Sequence, residues 1–362
     1  MGRKMIGGAL ATMVLTLFAA SLASATSVYN QRGNILISDQ FNNRVIEVDP
    51  VSKNIVWQFG NGSSVAGPHS VVAPNDAQRV GNLTLISGTG APAGSEPTCV
   101  SACLDNRVFV VNQAGQIVWQ YGRAGVAGSG FNELNTPVQA TFLPNKHILI
   151  TDQANDRVVE VTQQHVIVWQ YGTTGVAGTG FDQLNTPNSA ELLENGDILI
   201  ADEGNSRVIE VNRQKQVVWS YNNSGDPTVL NGTAFASRLC NGDTLITDAN
   251  NNRVFEVDST GALVGSYYYT SSGAAPNPLP TRAIRLCNGN TLISNQFAGQ
   301  VIEVDPSGTI VLSFGTLGKN DNAPGDLNGP YDAKEIGDYV GITPPFGNFF
   351  PADVSFFNPG GF

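Results

Sequence analysis

A block of three short apolar runs recurs along this chain, and it constrains the fold more than any other feature of the sequence. The clearest copy spans residues 195–221 and reads NGDILIADEGNSRVIEVNRQKQVVWSY. Its Asn-Gly pair, its β-branched runs and its connection rich in Gly and Asn are typical of short β-strands joined by tight turns. Related blocks begin at Gly33, Lys146, Gly242 and Gly289, and an interrupted block begins at Gly81.

The spacing of these blocks, together with a fourth segment ahead of each, predicts how they assemble. The polar residue after the first strand recurs at intervals of 50, 46 and 47 residues, as Asp152, Asp202, Asp248 and Asn295. A leading segment such as TPVQATFLPN, from Thr136, precedes the turn. Four antiparallel strands per repeat and six repeats predict an all-β fold, a six-bladed β-propeller of four-stranded blades.

The first block has only a short leading segment, and a better candidate lies near the other end of the chain. Residues 27–31 alone precede the block at Gly33, whereas NGPYDAKEIGDYVGIT, from Asn328, resembles a leading strand followed by the start of a second one. We therefore predict that residues 331–336 complete the first blade, so that both chain ends close the ring and few strand edges stay exposed.

The two ends of the chain fall outside this repeat pattern. Arg3 and Lys4, the apolar stretch 6–20 and the small residues 23–25 are typical of a secretory signal over residues 1–25, and we expect a mature chain from about Thr26. A membrane anchor is the weaker interpretation, because the apolar run is shorter than the ~20 residues that a span needs. The sequence thus predicts a secreted protein, whether extracellular, periplasmic or at the cell surface, with its propeller over residues 26–342.

Residues 343–362 form a tail that is rich in phenylalanine. Six phenylalanines lie within the last seventeen residues. Such a tail can pack on its own propeller, because soluble chains rarely leave so much aromatic surface in water. Alternatively, it can serve as a docking strand for self-assembly or for the cell envelope.

The charge balance argues against one class of partner. Removing Arg3 and Lys4 from the 19 basic residues leaves 17 against 30 acidic ones, a net charge near −13. Such a surface repels phosphate backbones, so nucleic-acid binding is not expected.

The four cysteines fall into two pairs. Cys99 and Cys103 lie in a Gly/Pro/Ser-rich insertion, residues 88–105, of the second repeat, and in an oxidising compartment we expect them to form a disulfide. A metal site there is the weaker interpretation, because no paired Cys or His cluster lies near them in sequence. Cys240 and Cys287 hold the same place in repeats five and six, and they can form either a bridge or two buried free thiols.

One tract carries a family resemblance. The pattern Asp-x-x-Asn-x-Arg-Val occurs in four repeats and follows linkers such as GVAGSGFNELNTP, from Gly125. Together these resemble NHL-repeat propellers from Gly33 to about Gly315. The third strand, which ends in IVWQ(Y/F)G, is similar to the repeats of quinoprotein-type and arylsulfotransferase-type propellers.

Two recurring residue sets are interpreted as structural, because a catalytic group is needed once whereas a structural group is needed in every blade. The first set places an Asp and an Arg across each hairpin for a charge-assisted hydrogen bond, and the second is expected to pack one blade on the next. The pairs are Asp39 with Arg44, Asp152 with Arg157, Asp202 with Arg207 and Asp248 with Arg253; the packing residues are Trp57, Trp119, Trp169 and Trp219. Repeat two has Gly88 in place of the Asp, and repeat six has Asn295 and Gln300.

Non-repeated polar residues near the start of the leading strands are the best site candidates, since they should line the mouth of the central channel. An alignment of these strands puts His69 level with Val138, Asn188, Ala234, Thr281 and Tyr331. The candidate ligand-binding residues are His69, Gln139, Asn188, Arg282, Tyr331 and Asp332.

The enzymes of similar propellers make demands that this chain does not meet. The resemblance implies several convergent histidines for a zinc-dependent amidating lyase, or a nucleophilic histidine with His and Arg partners for an arylsulfate-type sulfotransferase. The three histidines here, His69, His147 and His165, are scattered. We therefore expect a non-enzymatic binding or scaffolding protein without a cofactor, which presents its loop face to an extracellular protein or small-molecule ligand. The alternative is a metal-dependent hydrolase or lyase of the calcium type, with its ion near His69 and Asp332.

Overall fold

The computed structural model describes residues 1–2, 29–96, 98–222, 229–270, 272–339 and 342–343. Nearly all of the predicted signal segment and of the Phe-rich tail lies outside these residues. The first twelve strands are β1 (Ile35–Asp39), β2 (Arg44–Val48), β3 (Ile55–Phe59), β4 (Pro74–Val80), β5 (Leu83–Ala91), β6 (Cys103–Val111), β7 (Ile117–Gly122), β8 (Pro137–Phe142), β9 (Ile148–Asp152), β10 (Arg157–Val161), β11 (Ile167–Tyr171) and β12 (Ser189–Leu193). The others are β13 (Ile198–Asp202), β14 (Arg207–Val211), β15 (Val217–Tyr221), β16 (Thr233–Arg238), β17 (Thr244–Asp248), β18 (Arg253–Val257), β19 (Leu263–Tyr269), β20 (Pro280–Arg285), β21 (Thr291–Asn295), β22 (Gln300–Val304), β23 (Ile310–Phe314), β24 (Pro330–Glu335) and β25 (Ile342–Thr343).

These strands form six sheets, each with four antiparallel strands, arranged as the blades of a ring. The predicted six-bladed β-propeller is therefore confirmed. From the inner strand outwards the blades are β24-β1-β2-β3, β4 to β7, β8 to β11, β12 to β15, β16 to β19 and β20 to β23. The helical elements in the described ranges are single 3₁₀ turns, and none could cross a membrane.

The chain ends close the ring as the sequence predicts. β24 pairs antiparallel with β1, with Ala333 opposite Ile37, and so supplies the inner strand of blade 1. The chain then crosses to the other side of the ring, where β25 pairs parallel with β12 of blade 4. This crossing brings Tyr339 into a buried cluster with Phe235 and Ile284 at the end of the central channel.

The hydrophobic core is divided into clusters that lie between adjacent blades, so each blade is buried by its neighbours. Four of these interfaces share a tryptophan on the outer strand, whose indole N–H donates to a main-chain carbonyl in a turn of the next blade. The bonds are Trp57 to Gln113 at 3.0 Å, Trp119 to Gln163 at 3.0 Å, Trp169 to Arg213 at 3.2 Å and Trp219 to Ser259 at 2.9 Å. In the last two blades, register places Val264 and Leu312 at this position.

The repeated polar residues stabilise the turn between the second and third strands of a blade. In blade 3, Asp152 accepts hydrogen bonds from Arg157 at 2.7 Å, from Asn155 at 2.8 Å and from the main-chain N–H of Asn135 at 2.7 Å. The last bond ties the turn to the crossing that enters the blade. The equivalent Arg-to-Asp hydrogen bonds are Arg44 to Asp39 at 2.7 Å, Arg207 to Asp202 at 2.6 Å and Arg253 to Asp248 at 2.6 Å.

The disulfide between Cys99 and Cys103 is confirmed. Cys240 and Cys287 are not bridged, and both are exposed, so neither alternative for this pair was right. Each lies two residues after the end of an inner strand, in the turn to the second strand, where the side chain reaches solvent rather than the core.

Candidate functional site in the central channel

The six inner strands share an alanine that sets which side chains face the channel. Each alanine packs in a hydrophobic cluster between blades. Because side chains alternate along a strand, the residues directly before and after the alanine point to the axis instead. The layer before the alanine contains Asp76, Gln139, Ser189, Phe235, Arg282 and Asp332; the layer after it contains Gln78, Thr141, Glu191, Ser237, Ile284 and Lys334.

Four charged residues from three blades meet in these layers and neutralise one another. Lys334 Nζ lies 2.5 Å from Asp76 Oδ1 and 2.7 Å from Asp332 Oδ2. The Arg282 guanidinium lies 3.0 Å from each of the same two carboxylates. All four residues are at most 4% exposed. Removing any one of them would leave an uncompensated charge in the interior, which is strongly destabilising.

A fifth ionisable group, Glu191 of blade 4, faces this cluster. The Tyr339 hydroxyl donates to Glu191 Oε1, while Oε2 has no hydrogen-bond partner among the described residues. Burial raises the pKa of Glu191 to about 7 against the lowering effect of Tyr339 and of the nearby cations. The carboxyl is therefore poised to change its protonation state near neutral pH.

Uncharged polar groups lie above the charged cluster, towards the mouth. Asn188 and Tyr331 form two reciprocal hydrogen bonds, of 2.8 and 3.1 Å, and Asn188 also donates to Glu203 at 2.7 Å. On the other side of the mouth, Gln40 donates to Asn75 at 2.7 Å. Burial raises the pKa of Tyr331, so its hydroxyl stays protonated and can donate.

The structure places the sequence candidates in two groups and leaves one outside. Gln139, Arg282 and Asp332 share a channel layer, and Asn188 and Tyr331 bond directly above it.

His69 is exposed in the crossing that precedes β4, so the alignment that put it level with Asn188 was wrong. Asn75 holds that level, since β4 begins only at Pro74. Asp76, Glu191, Lys334 and Tyr339 also belong to the channel cluster, and none of them was among the residues predicted from the sequence.

The structure does not bring His69 and Asp332 together, so they cannot share the ion that the alternative prediction placed near them. His69 is at the surface, whereas Asp332 is fully buried between Arg282 and Lys334. Across the described ranges, no group of three or more His, Cys, Asp or Glu residues is arranged so that it could hold a metal ion.

A cleft of about 290 Å³ opens on the face that carries the crossings between blades and the turns between second and third strands, hereafter the crossing-loop face. The crossings from blade 6 to blade 1 and from blade 1 to blade 2 flank it. Its lining residues are Phe41, Asn42, Arg44, Gln58, Asn61, Gly62 and Asn322. Carboxamides, an aromatic ring and a guanidinium thus share one opening.

Comparisons with known proteins support the fold alone. No family model matches the chain, and no curated protein sequence does. Among solved structures, a protein of unknown function from Bacteroides caccae shares 17% identity, with a TM-score of 0.56, over 80% of this chain and 97% of that one. A streptogramin B lyase shares 14% identity, with a TM-score of 0.50, over 81% and 82%. A catalytically inactive virginiamycin B lyase from Staphylococcus aureus with quinupristin shares 11% identity, with a TM-score of 0.50, over 79% and 85%.

Proposed function

We propose that this chain is a secreted, non-enzymatic binding or scaffolding propeller of the NHL-like class that presents its crossing-loop face to an extracellular protein partner. The observation that carries the proposal is the mutual neutralisation of Asp76, Asp332, Arg282 and Lys334. These four residues form ion pairs with one another inside the channel, and the ion pairs hold the blades together. Their opposite charges balance within the channel, and this favours recognition at the surface.

The cleft on the crossing-loop face is suited to a neutral polar segment such as a peptide strand. Gln58, Asn61 and Asn322 are exposed carboxamides, each of which carries both donors and an acceptor. Phe41 adds an apolar wall beside them. A peptide backbone offers the matching alternation of N–H and C=O groups.

Secretion and envelope docking are further parts of this proposal. Secretion rests on the signal-like residues 1–25, and docking to the envelope or to another copy rests on the six phenylalanines of the tail.

A calcium-type hydrolase or lyase remains the second candidate, and one observation favours it. The channel mouth places the Glu203 carboxylate beside the Asn188 amide, whose Oδ1 accepts from the Tyr331 hydroxyl, and carboxylates and amides are typical calcium ligands. Burial raises the pKa of Glu203, which works against a permanently charged ligand there.

Site-specific photo-crosslinking on the full chain would test the binding proposal. A photoreactive residue at Asn322 reports on the cleft, and the same residue at Thr260, in a turn of the opposite face, is the matched control. With culture fluid and surface extract of the producing cells, we expect a discrete adduct from position 322 and none from position 260. Gln58→Ala should weaken the adduct, because it removes one carboxamide from the cleft wall.

Adducts that form equally from both positions, or that persist unchanged in Gln58→Ala, would contradict a partner site in the cleft. Metal analysis separates the two candidates: a stoichiometric calcium ion that is lost in Glu203→Gln would favour the enzyme.

A further inference from the structure

The interface between blades 5 and 6 keeps the surroundings of a tryptophan but lacks the tryptophan itself. In blade 4, Trp219 lies opposite Glu210 in the strand register. In blade 5 the strand pairing places Val264 opposite Glu256, with the register shift between Val254 and Glu256 rather than directly after the glutamate as in blade 4. A cavity of about 230 Å³ lies at this interface. Cavities of about 150 Å³ with apolar walls bind molecules as large as benzene, so this one has room for a two-ring aromatic.

The walls of the cavity match those that enclose a tryptophan elsewhere in the ring. Its apolar lining includes Leu245, Val254, Tyr268, Ile293 and Val304. By strand register, these five correspond to residues of blades 2 and 3 that form one buried cluster with Trp119: Leu85, Val108, Tyr121, Ile150 and Val161. The apolar part of the lining therefore corresponds to the surroundings of Trp119, and Thr291, Asp305 and Ser307 add polar groups to the cavity.

The polar partners of an indole are also in place. At the interface of blades 4 and 5, Trp219 donates to the Ser259 carbonyl, and the Arg238 guanidinium lies 5.3 Å from its ring centre. The residue equivalent to Ser259 is Pro306, which lines the cavity. A carbonyl acceptor is thus available at the matching position of the turn.

Arg285 of blade 6 is equivalent to Arg238 of blade 5. Arg238 is held by Thr244 at 3.1 Å and by Glu210 at 2.8 Å. Arg285 is held in the same way, by Thr291 at 3.0 Å and by Glu256 at 3.0 Å. Arg285 is therefore fixed at the strand position from which Arg238 lies over the Trp219 ring.

We propose that this cavity, the blade 5–6 slot, is a binding site for a planar aromatic molecule of the indole class that carries one N–H donor. The slot offers apolar walls, a carbonyl acceptor for the N–H and a cation for the ring face. The interfaces of Trp57 and Trp219 show the same combination, with the aromatic ring supplied by the chain itself. The proposal is independent of the function proposed for the crossing-loop face.

Indole itself is the probe, used with the full chain in titration calorimetry and in thermal unfolding. We expect one indole per chain and a rise in Tm. The compound 1-methylindole lacks the donor and should bind about five-fold more weakly, the effect of losing one neutral hydrogen bond. Val264→Trp should fill the slot from within, raise the Tm of the free protein and abolish indole binding.

Trp219→Ala is the matched positive control, because it opens an equivalent slot between blades 4 and 5 and should raise the stoichiometry from one to two. If Val264→Trp does not fold, Val264→Leu serves instead and should weaken indole binding. The proposal is overturned if the unaltered chain binds no indole up to its solubility limit. It is also overturned if indole binds the folded Val264 variant as tightly as the unaltered chain.

Discussion

The carboxylate of Asp105 fills the space that Gly88 leaves open. A Cβ added at Gly88 would lie 2.5 Å from Asp105 Cγ. Asp105 accepts hydrogen bonds from Arg107 at 2.5 Å and from the Val72 N–H at 2.7 Å, as the repeated aspartates of other blades do from their Arg and crossing residue. Blade 2 thus keeps the buried carboxylate but supplies it from the neighbouring strand.

This relationship predicts that Gly88→Ala is destabilising although the change is small. Asp105 cannot retreat without breaking its bonds to Arg107 and Val72, so we expect the free energy of unfolding to fall by about 1–3 kcal/mol. Gly273→Ala is the control, since a Cβ there meets nothing within 4 Å. Equal denaturant midpoints for the two variants would contradict the steric argument.

The interblade tryptophans should differ in their contribution to stability according to their burial. Trp119 is 7% exposed, whereas Trp219 is only partly buried at its interface. We expect Trp119→Ala to lower the free energy of unfolding by about 3–5 kcal/mol, the usual cost of truncating a buried aromatic, and Trp219→Ala to lower it less. Calorimetric unfolding of both variants checks the order. A larger effect at Trp219 would show that burial does not control the contribution.

Closure of the ring by β24 predicts the result of truncation. A chain that ends before Asn328 loses the inner strand of blade 1, and with it Asp332 and Lys334. Asp76 then lacks its contact with Lys334, and Arg282 lacks its contact with Asp332. We expect this chain to lose cooperative unfolding and to aggregate through the open edge of β1. A chain that ends after Thr343 keeps β24 and β25 and is the control. Identical melting curves for the two chains would contradict closure by β24.

The fold could be predicted from the sequence because its signals are local and repeated. The Asn-Gly turns, the β-branched runs and the Asp–Arg spacing each act within one blade. The level of His69 could not be predicted in the same way, because the crossing into blade 2 lacks the Thr-Pro that marks the start of β8. The shared alanine would have given the correct register, since Asp76–Ala77 aligns with Arg282–Ala283 and Asp332–Ala333.

The charged cluster escaped prediction for a different reason. Asp76 and Lys334 are 258 positions apart in sequence, and Arg282 joins them from a third blade. No local pattern links such residues, because only closure of the ring brings their strands together. Tyr339 reaches Glu191 by the same closure, through a segment that crosses from blade 1 to blade 4.

The burial of Glu191 predicts a pH dependence of stability. The pKa of Glu191 is raised by burial from 4.5 to about 7 in the folded chain. Below pH 4.5, both the folded and the unfolded chain hold the proton, and the stabilising contribution is fully present. Between pH 4.5 and about 7, the unfolded chain ionises first, so stability falls as pH rises, by about 3 kcal/mol in all at 1.36 kcal/mol per pKa unit.

Glu191→Gln removes this dependence, because the amide keeps the shape of the side chain but does not ionise. We expect the unaltered chain to lose stability relative to the variant from pH 4.5 to pH 7, and the difference to level off above pH 7. Tyr339→Phe should raise the pH at which the difference levels off, because the Tyr339 hydrogen bond lowers the pKa of Glu191. Denaturant unfolding of the three chains at pH 4 to 8 is the measurement. Parallel curves for the unaltered chain and Glu191→Gln would mean that the carboxyl does not titrate in this range, since every other ionisable group is common to both.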